Sequence, residues 1–184
     1  MFDAQCDLAA LVYETDQDPD AVLRSFAADL NARGFRVAGM VQAGRCADSS
    51  LSAVLLHSGE KLLLAQHFDP AAQGCRLDLA RLQNAGARIA EALIHGADLV
   101  IINRFGERDG KGLSYLIERA LDADIPVVIA VGKDHFAEWI KFAGGMSVKL
   151  GCDRDALDAW WLRVSAGDAQ PDHGSHQTIC EILK

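Results

Sequence analysis

Apolar residues along the chain follow two alternating patterns. Continuous apolar runs predict strands that are buried on both faces, as in a parallel sheet. These runs are Leu8–Val12, Val37–Val41, Leu99–Ile102 and Val127–Val131. Between them, apolar residues return every three or four positions, which predicts amphipathic helices. The clearest stripe is Leu23, Phe26, Ala27 and Leu30. Its helix should begin behind Asp18, a good N-cap followed by Pro19, and should end at Gly34.

Shorter elements fill the rest of the chain. Ala53–Leu56 and Lys61–Leu64 flank Ser58-Gly59, and this arrangement predicts a tight hairpin. Asp69 to Arg76 is predicted to be a loop, because it contains Pro70 and Gly74. Four more helical stripes and one short strand are predicted. They are Leu82/Gly86/Ile89/Leu93 behind the cap Asp78, Leu113/Leu116/Ile117/Ala120, Phe136/Trp139/Ile140/Ala143, the strand Ser147–Leu150, and Leu157/Trp160/Trp161/Val164.

Strands that alternate with helices predict an α/β fold, with a three-layer, mostly parallel, doubly wound sheet that carries an inserted β-hairpin. Nothing interrupts this alternation before residue 167. We therefore expect one domain over residues 1–166 and a polar C-terminal tail over residues 167–184.

Composition narrows the classes of partner. Half of the 184 residues are hydrophobic and the formal net charge is −8, which disfavours binding to nucleic acid or to an acidic membrane surface. No apolar stretch approaches the roughly 18–20 residues of a membrane helix, and Met1–Asp7 lacks the features of a signal peptide. The five cysteines are an odd number without a CxxC pair. We therefore expect a cytoplasmic protein without a disulfide framework.

Polar residues at the predicted strand ends form the candidate site, because ligands of open parallel sheets bind beyond the carboxyl ends of the strands. The candidate ligand-binding residues are Glu14, Thr15 and Asp16 after the first strand, Arg45 after the second, Asn103 and Arg104 after the third, and Lys133 after the fourth.

Three short motifs carry a family resemblance. QGCRLD (Gln73 to Asp78), INRFG (Ile102 to Gly106) and FAGG (Phe142 to Gly145) resemble the bacterial family of the domain of unknown function 2478, over about residues 6–165. The stretch GADLVIINRFGERDGKGLSYLIERALDADIPVVIAV is similar, more distantly, to the P-loop nucleoside-triphosphatases of the thermophilic (THEP-type) group. The resemblance implies a P-loop-NTPase-like fold. Members of the family are often described as lying near molybdenum-transport genes, which implies a link to molybdenum or tungsten metabolism.

Two catalytic elements of P-loop enzymes are missing from the matching positions. A Walker A loop needs glycine N–H groups and a lysine around phosphate, whereas residues 14–20 contain neither and carry four carboxylates. A Walker B strand ends in acidic residues that hold Mg²⁺, whereas this strand ends in Asn103-Arg104. We therefore expect a degenerate, non-hydrolysing relative rather than an enzyme.

The first functional hypothesis is an accessory or regulatory protein that binds a small anion or a nucleotide. Arg45, Arg104 and Lys133 would contact the anion and Asn103 would donate or accept a hydrogen bond. The ligand would be a nucleotide with Mg²⁺, or molybdate or tungstate. The alternative for these three cations is a role as solvated surface charges.

A second hypothesis is a Mg²⁺-dependent nucleoside-triphosphatase or phosphotransferase. Glu14 and Asp16, with Asp18 or Asp20, would hold the metal through carboxylate oxygens. Arg104 and Lys133 would then stabilise charge during phosphoryl transfer.

Two further hypotheses concern thiols and partners. Cys46 and Cys75 are weak candidates for a low-pKa thiol or a soft-metal site, and His173, His176 and Cys180 have a loosely ligand-like spacing.

A protein–protein interaction module, or a homo-oligomer, is the remaining alternative. For that role Trp161 is the best surface aromatic, since it lies beside the apolar stripe of its helix.

Overall fold

The computed structural model describes residues 7–43, 51–69, 74–105 and 113–167. Within these ranges the chain forms nine strands and five α-helices, besides a 3₁₀ helix over Lys133–His135. In chain order they are β1 (Leu8–Tyr13), α1 (Pro19–Ala32), β2 (Val37–Gln42), β3 (Ser52–Leu55), β4 (Lys61–Leu63), β5 (Ala65–Asp69), β6 (Gly74–Leu77), α2 (Leu79–Ile94), β7 (Leu99–Phe105), α3 (Ser114–Asp122), β8 (Val127–Gly132), α4 (Phe136–Phe142), β9 (Val148–Gly151) and α5 (Arg154–Gly167).

Seven of the described strands form one mixed sheet in the order β4-β3-β2-β7-β8-β1-β9. The five strands from β2 to β9 pair in parallel, whereas β3 and β4 join antiparallel at one edge. The expected hairpin is thus confirmed as an extension of the sheet beside β2. The architecture is α/β and mostly parallel, as predicted, and it is consistent with a P-loop-NTPase-like fold.

Helices cover both faces of the sheet, which makes three layers. Alternate residues of each strand face opposite layers, so Ala10 packs with α2, α3 and α4, whereas its neighbours Ala9 and Leu11 pack with α1 and α5. Both faces of the central strands are buried, which accounts for their continuous apolar runs.

Local sequence signals set the start of α1. The Asp18 side chain caps the helix by accepting a hydrogen bond from the Ala21 N–H, and Pro19 occupies the first helical position. The predicted stripe is fully buried against the sheet. Helix α1 therefore begins where β1 ends, with a short turn over residues 14–18 between them.

Two expectations about local structure are wrong. The segment predicted as a loop from Asp69 to Arg76 contains parts of β5 and β6, which pair antiparallel as a separate two-stranded sheet; residues 70–73 lie outside the described part. Trp161 is buried at 3% exposure rather than presented on the surface. Its indole packs edge-to-face on the Phe35 ring, because α5 turns this side of the helix towards the α1–β2 connection.

The direction of the chain changes between β1 and β8. From β1 the chain crosses through α1 to β2 on one face, whereas from β8 it crosses through α4 to β9 on the other. The carboxyl ends of β1 and β8 therefore flank a topological switch point, the usual place for a ligand in such sheets. The division into one domain and a tail stays a prediction, since residues 168–184 lie outside the described part.

An irregularity near the end of β7 changes which way its side chains face. Ile102 pairs with Ile129, but the next pairing joins Phe105 to Val131, so β7 has one more residue than β8 between the two pairs. Such a bulge shifts the alternation of side chains between the two faces of the sheet. Arg104 is consequently directed to the face covered by α1, although it lies two residues after Ile102, which faces the other layer.

Candidate functional site

An ion pair spans the switch point between β1 and β8. Glu14 follows β1, Lys133 follows β8, and the Lys133 Nζ lies 2.5 Å from the Glu14 Oε1. Both side chains are more than half exposed. The hydrogen bond to Glu14 raises the pKa of Lys133, so this lysine is cationic at neutral pH.

Hydrogen bonds within residues 14–18 shape the turn after β1. The Gln17 side chain accepts a hydrogen bond from the Glu14 N–H, and the Gln17 N–H donates to the Glu14 carbonyl. Thr15 and Asp16 are exposed at the tip of the turn. The turn is therefore closed by its own residues and leads directly into the cap of α1.

A second ion pair lies deeper, on the α1 side of the sheet. The Arg104 guanidinium donates to the Asp20 Oδ2, with Nη2 at 2.6 Å and Nε at 3.2 Å. Asp20 stands in the first turn of α1 and only 8% of its side chain is exposed, against 24% for Arg104. The Asp20 Oδ1 also accepts the backbone N–H of Gln42 at 2.9 Å. One carboxylate thus ties together the start of α1 and the ends of β2 and β7.

The Tyr13 ring forms a cation–π contact with the Arg104 guanidinium. The Arg104 Cζ lies 5.4 Å from the centroid of the Tyr13 ring, within cation–π range. Tyr13 pairs with Gly132 across β1 and β8, and a Cβ at position 132 would lie 3.6 Å from the phenol oxygen of Tyr13. This distance is an ordinary van der Waals contact, so the Tyr13 ring lies directly beside the end of β8.

These residues define what we call the carboxyl edge, formed by Glu14, Asp20, Arg104 and Lys133. It contains two cations and two carboxylates, and each cation is held by one carboxylate. A helix N-terminus attracts anions through its free N–H groups and its dipole. At α1 the carboxylates of Asp18 and Asp20 already occupy positions in and beside that first turn.

The structure places the predicted site residues as follows. It brings Glu14 and Lys133 together, and it pairs Arg104 with Asp20 instead of leaving the guanidinium exposed. Arg45 and Cys46 lie outside the described residues, as do the side chains of Asn103 and Cys75. Ligand binding by the predicted residues stays a prediction.

The carboxylates proposed for Mg²⁺ are directed to separate partners. Glu14 pairs with Lys133, Asp18 caps α1 and Asp20 pairs with Arg104. Across the described ranges, no group of three or more His, Cys, Asp or Glu residues is placed to hold a metal ion.

Asp20 was considered only as an alternative magnesium ligand, and its pairing with Arg104 was not predicted. Its position continues the buried stripe of α1 backwards from Leu23, Ala27 and Leu30. A carboxylate on an apolar stripe must find a partner when it is buried, because a bare buried charge is very costly. That signal was present in the sequence, whereas the identity of the partner depended on the bulge in β7.

Cys152 follows β9, and its pKa is affected by the same acidic region. Burial raises the pKa of the Cys152 thiol, and the carboxylates of Asp153, Asp18 and Asp20 raise it further. A raised pKa disfavours the thiolate, which is the nucleophile and the metal ligand. Cys152 is therefore a protonated, weakly reactive thiol at neutral pH.

Comparison with known proteins identifies the family. The family model described as "Protein of unknown function (DUF2478)" matches residues 8–160, which contain every strand of the main sheet. The chain belongs to this family. No solved structure gives a significant match. Among the described residues, no helix is long and apolar enough to cross a membrane.

One curated relative of the DUF2478 chain has a name that refers to molybdenum import. The chain is 34% identical over 165 residues to the molybdenum import ATP-binding protein ModC 2 of Bradyrhizobium diazoefficiens. The match covers 86% of this chain but 18% of the relative. The similarity therefore relates this chain to one segment of a much longer protein.

Proposed function

We propose that this DUF2478 chain is a P-loop-NTPase-like domain that binds a small oxyanion or a nucleotide without hydrolysing it. We further propose that it is an accessory or regulatory component of molybdenum or tungsten metabolism. The observation that carries the proposal is the Asp20–Arg104 ion pair, which places an internal carboxylate beside the helix N-terminus that follows β1.

The absence of hydrolysis follows from the chemistry of residues 14–20. A phosphate at the α1 N-terminus would gain about 0.3–2 kcal/mol from the helix dipole. Each nearby carboxylate would oppose it by about 1–4 kcal/mol, at effective dielectric constants between 80 and 20. The Asp18 carboxylate caps this end of the helix and opposes a phosphate seated as in a P-loop, whereas the charge of Asp20 is compensated by Arg104.

Lys133 is the cation best placed to accept a ligand anion. Its pair with Glu14 is exposed, and exposed ion pairs contribute about 0–1 kcal/mol to stability. An incoming oxyanion can therefore replace Glu14 at small cost. Arg104 is different, because breaking its pair would leave the buried Asp20 carboxylate without its cation. We infer that the ligand contacts Lys133 at the switch point while Arg104 holds the site together.

The link to molybdenum is supported by the relative, whose name describes a molybdenum import ATP-binding protein. The name contains two clues to a ligand, molybdenum and ATP, and the matched segment is one part of that longer protein. A tetrahedral oxyanion and a nucleotide phosphate both present oxygens to an ammonium group. Both ligand classes therefore belong in the test.

The experiment is thermal denaturation of the full chain with ATP, ADP or GTP plus Mg²⁺, and with molybdate, tungstate, phosphate or sulfate. A ligand at 100 times its Kd adds about 2.7 kcal/mol, which raises the Tm of a domain of this size by about 5–10 °C. We expect such a shift with a nucleotide, or with molybdate or tungstate. Phosphate release from ATP should not exceed that of a protein-free control. If the native chain releases phosphate from ATP and Glu14→Gln releases less, hydrolysis occurs at the acidic turn. If no compound raises the Tm, the binding proposal is rejected.

A further inference from the structure

A pocket of about 520 Å³ lies at the amino end of β2. The carboxyl edge, by contrast, is formed at the carboxyl ends of the parallel strands. The walls of the pocket are the end of α1, the α1–β2 connection, the turn of the β3–β4 hairpin and the last turns of α2. We call it the amino-edge pocket and define it by Phe35, Arg36, His57, Arg88 and Glu91. Its volume is within the range of small-molecule sites, about 300–1,000 Å³.

Two arginine–carboxylate pairs fix the walls of this pocket. Arg36 donates from Nε and Nη2 to the two oxygens of Asp98, at 3.1 and 2.7 Å, which joins the start of β2 to the start of β7. Arg88 of α2 donates from both terminal nitrogens to the Glu60 carboxylate, which joins the helix to the hairpin. Each guanidinium group is therefore paired with a carboxylate.

Glu91 is the carboxylate of this pocket that forms no direct ion pair with any described residue, although it interacts at longer range with Arg88, three residues earlier on α2, and with His57. In the part of the chain that the structure describes, its carboxylate forms no ion pair and accepts no hydrogen bond, although its backbone carbonyl contacts the His95 ring. The last turn of α2, which carries Glu91, contains no lysine or arginine. The partial negative charge at the C-terminal end of α2 thus adds to that of Glu91.

His57 supplies a neutral polar group at the rim. Desolvation lowers the pKa of its ring, and so does Arg88, while Glu60 and Glu91 act in the opposite direction. The ring is therefore uncharged at neutral pH. Among the described residues, no side chain or backbone group hydrogen-bonds to either ring nitrogen, so one of them can accept a proton donor from a ligand.

We propose that the amino-edge pocket binds a small organic ammonium compound, with its charged nitrogen at Glu91 and its apolar body along Phe35 and the start of β2. A cation is favoured there over an anion, because the carboxylates of Asp98, Glu60 and Glu91 outnumber the guanidinium groups of Arg36 and Arg88, and the C-terminal end of α2 adds partial negative charge. Apolar contact comes from Phe35, Val37, Ala38, Ala92 and Ala97. This site is separate from the carboxyl edge and does not depend on the function proposed for it.

The test uses three probes that share one apolar body and differ in charge: benzylamine, benzyl alcohol and benzoate. Binding to the ¹⁵N-labelled full chain is followed by amide shifts in NMR spectra at pH 8. We expect benzylamine to shift the amides of His57, Glu91 and Gly96 and to bind at least tenfold more tightly than benzoate. Equal or tighter binding of benzoate, no binding of benzylamine, or shifts confined to other regions would overturn the proposal.

Matched variants separate recognition from general effects on the fold. Glu91 is exposed, so Glu91→Gln should fold normally and weaken benzylamine binding at least fivefold. Glu118→Gln, at an exposed position of α3 away from the pocket, should change nothing. Lowering the pH to 5 should weaken binding to the native chain, since an imidazolium at position 57 repels the ammonium group. Because His95, Arg36, Arg88 and Glu91 also line the pocket, His57→Gln should reduce this pH dependence. Unchanged affinity in Glu91→Gln would contradict the assignment.

Discussion

The Asp20 carboxylate and the Arg104 guanidinium form a largely buried ion pair, in which Arg104 Nη2 lies 2.6 Å from Asp20 Oδ2. The two residues are 84 positions apart in the sequence. The pair joins the first turn of α1 to the bulged end of β7 and also accepts the N–H of Gln42. It occupies the region where a phosphate-binding relative would present a helix N-terminus to its ligand. At this end of α1 the Arg104 cation is paired with a carboxylate of the chain itself.

Removing either partner of this pair should destabilise the domain. Arg104→Ala leaves the Asp20 carboxylate buried without its cation, and we expect a loss of about 2–4 kcal/mol in the free energy of unfolding. Asp20→Ala should cost less, because the longer arginine can reach water. Urea denaturation of both single variants and of the double variant measures the coupling, for which we expect about 1–3 kcal/mol. Arg119→Ala, at an exposed position of α3, is the control; strict additivity would show that the pair does not act as a unit.

Gly39 should be among the least replaceable residues of the sheet. Its φ is +124°, and a Cβ at this position would lie 1.9 Å from the carbonyl oxygen of Ile101 in β7. We expect Gly39→Ala to cost more than about 3 kcal/mol, or to prevent folding, since the backbones of β2 and β7 would have to separate. Gly34→Ala is the matched variant: its φ is +92° but its surroundings are open, so only about 1–2 kcal/mol should be lost. Similar urea midpoints for the two variants would disprove the steric explanation.

The Arg36–Asp98 pair should make stability depend on pH at the acid side. Hydrogen bonds from the side chain and backbone of Arg36 lower the pKa of Asp98 in the folded chain. The unfolded chain therefore binds more protons, and the contribution of this carboxylate is present above the unfolded pKa of about 3.9 and is lost as the pH falls through the folded pKa. Asp98→Asn should cost about 1–2 kcal/mol at pH 7.

Thermal unfolding of native chain and Asp98→Asn between pH 7 and pH 3 checks this sign. The difference in Tm between them should shrink as the pH falls below about 4. A difference that stays constant over the whole range would mean that the carboxylate charge contributes nothing to folding.

Cys152 should react slowly with alkylating reagents. Because burial and three carboxylates raise its pKa, its thiolate fraction at pH 8 is below that of a free thiol. Mass spectrometry of iodoacetamide-treated protein gives the rate at this residue, with glutathione as the reference. Asp153→Asn keeps an oxygen that can cap α5 and should accelerate the reaction, since one repulsive charge is removed. A Cys152 rate above that of glutathione would refute the expectation.

The spacing of apolar residues predicted most of the helices and strands, because the pattern of buried positions within one element can be identified from its own sequence. The apolar runs of β1, β2, β7 and β8 and the stripe of α1 all appear where the structure has them. The strand order was not predictable, since it depends on which strands meet after the chain has crossed the sheet. The pairing of β5 with β6 was missed because turn residues at Pro70 and Gly74 gave the stronger signal.

The sequence predicted where the candidate site residues lie, but it did not predict which of them form ion pairs with each other. Glu14, Arg104 and Lys133 do lie at the carboxyl ends of their strands, since strand ends can be located from the sequence. The partner of Arg104 could not be predicted, because a period of two places position 104 on the same face as Ile102. One additional residue in β7 reverses that direction and brings the guanidinium to Asp20.

The most direct test of the account is the Kd of Mg²⁺–ATP and of molybdate, measured by isothermal titration on four proteins: native chain, Glu14→Gln, Lys133→Ala and Lys141→Ala. At least one ligand should bind the native chain. Glu14→Gln should tighten that binding by removing the carboxylate that competes for Lys133, and Lys133→Ala should weaken it about tenfold, the loss of one charged hydrogen bond. Lys141→Ala, at an exposed position of α4, should match the native chain. If neither ligand binds, or if all four proteins bind with the same Kd, the carboxyl edge is not the anion site.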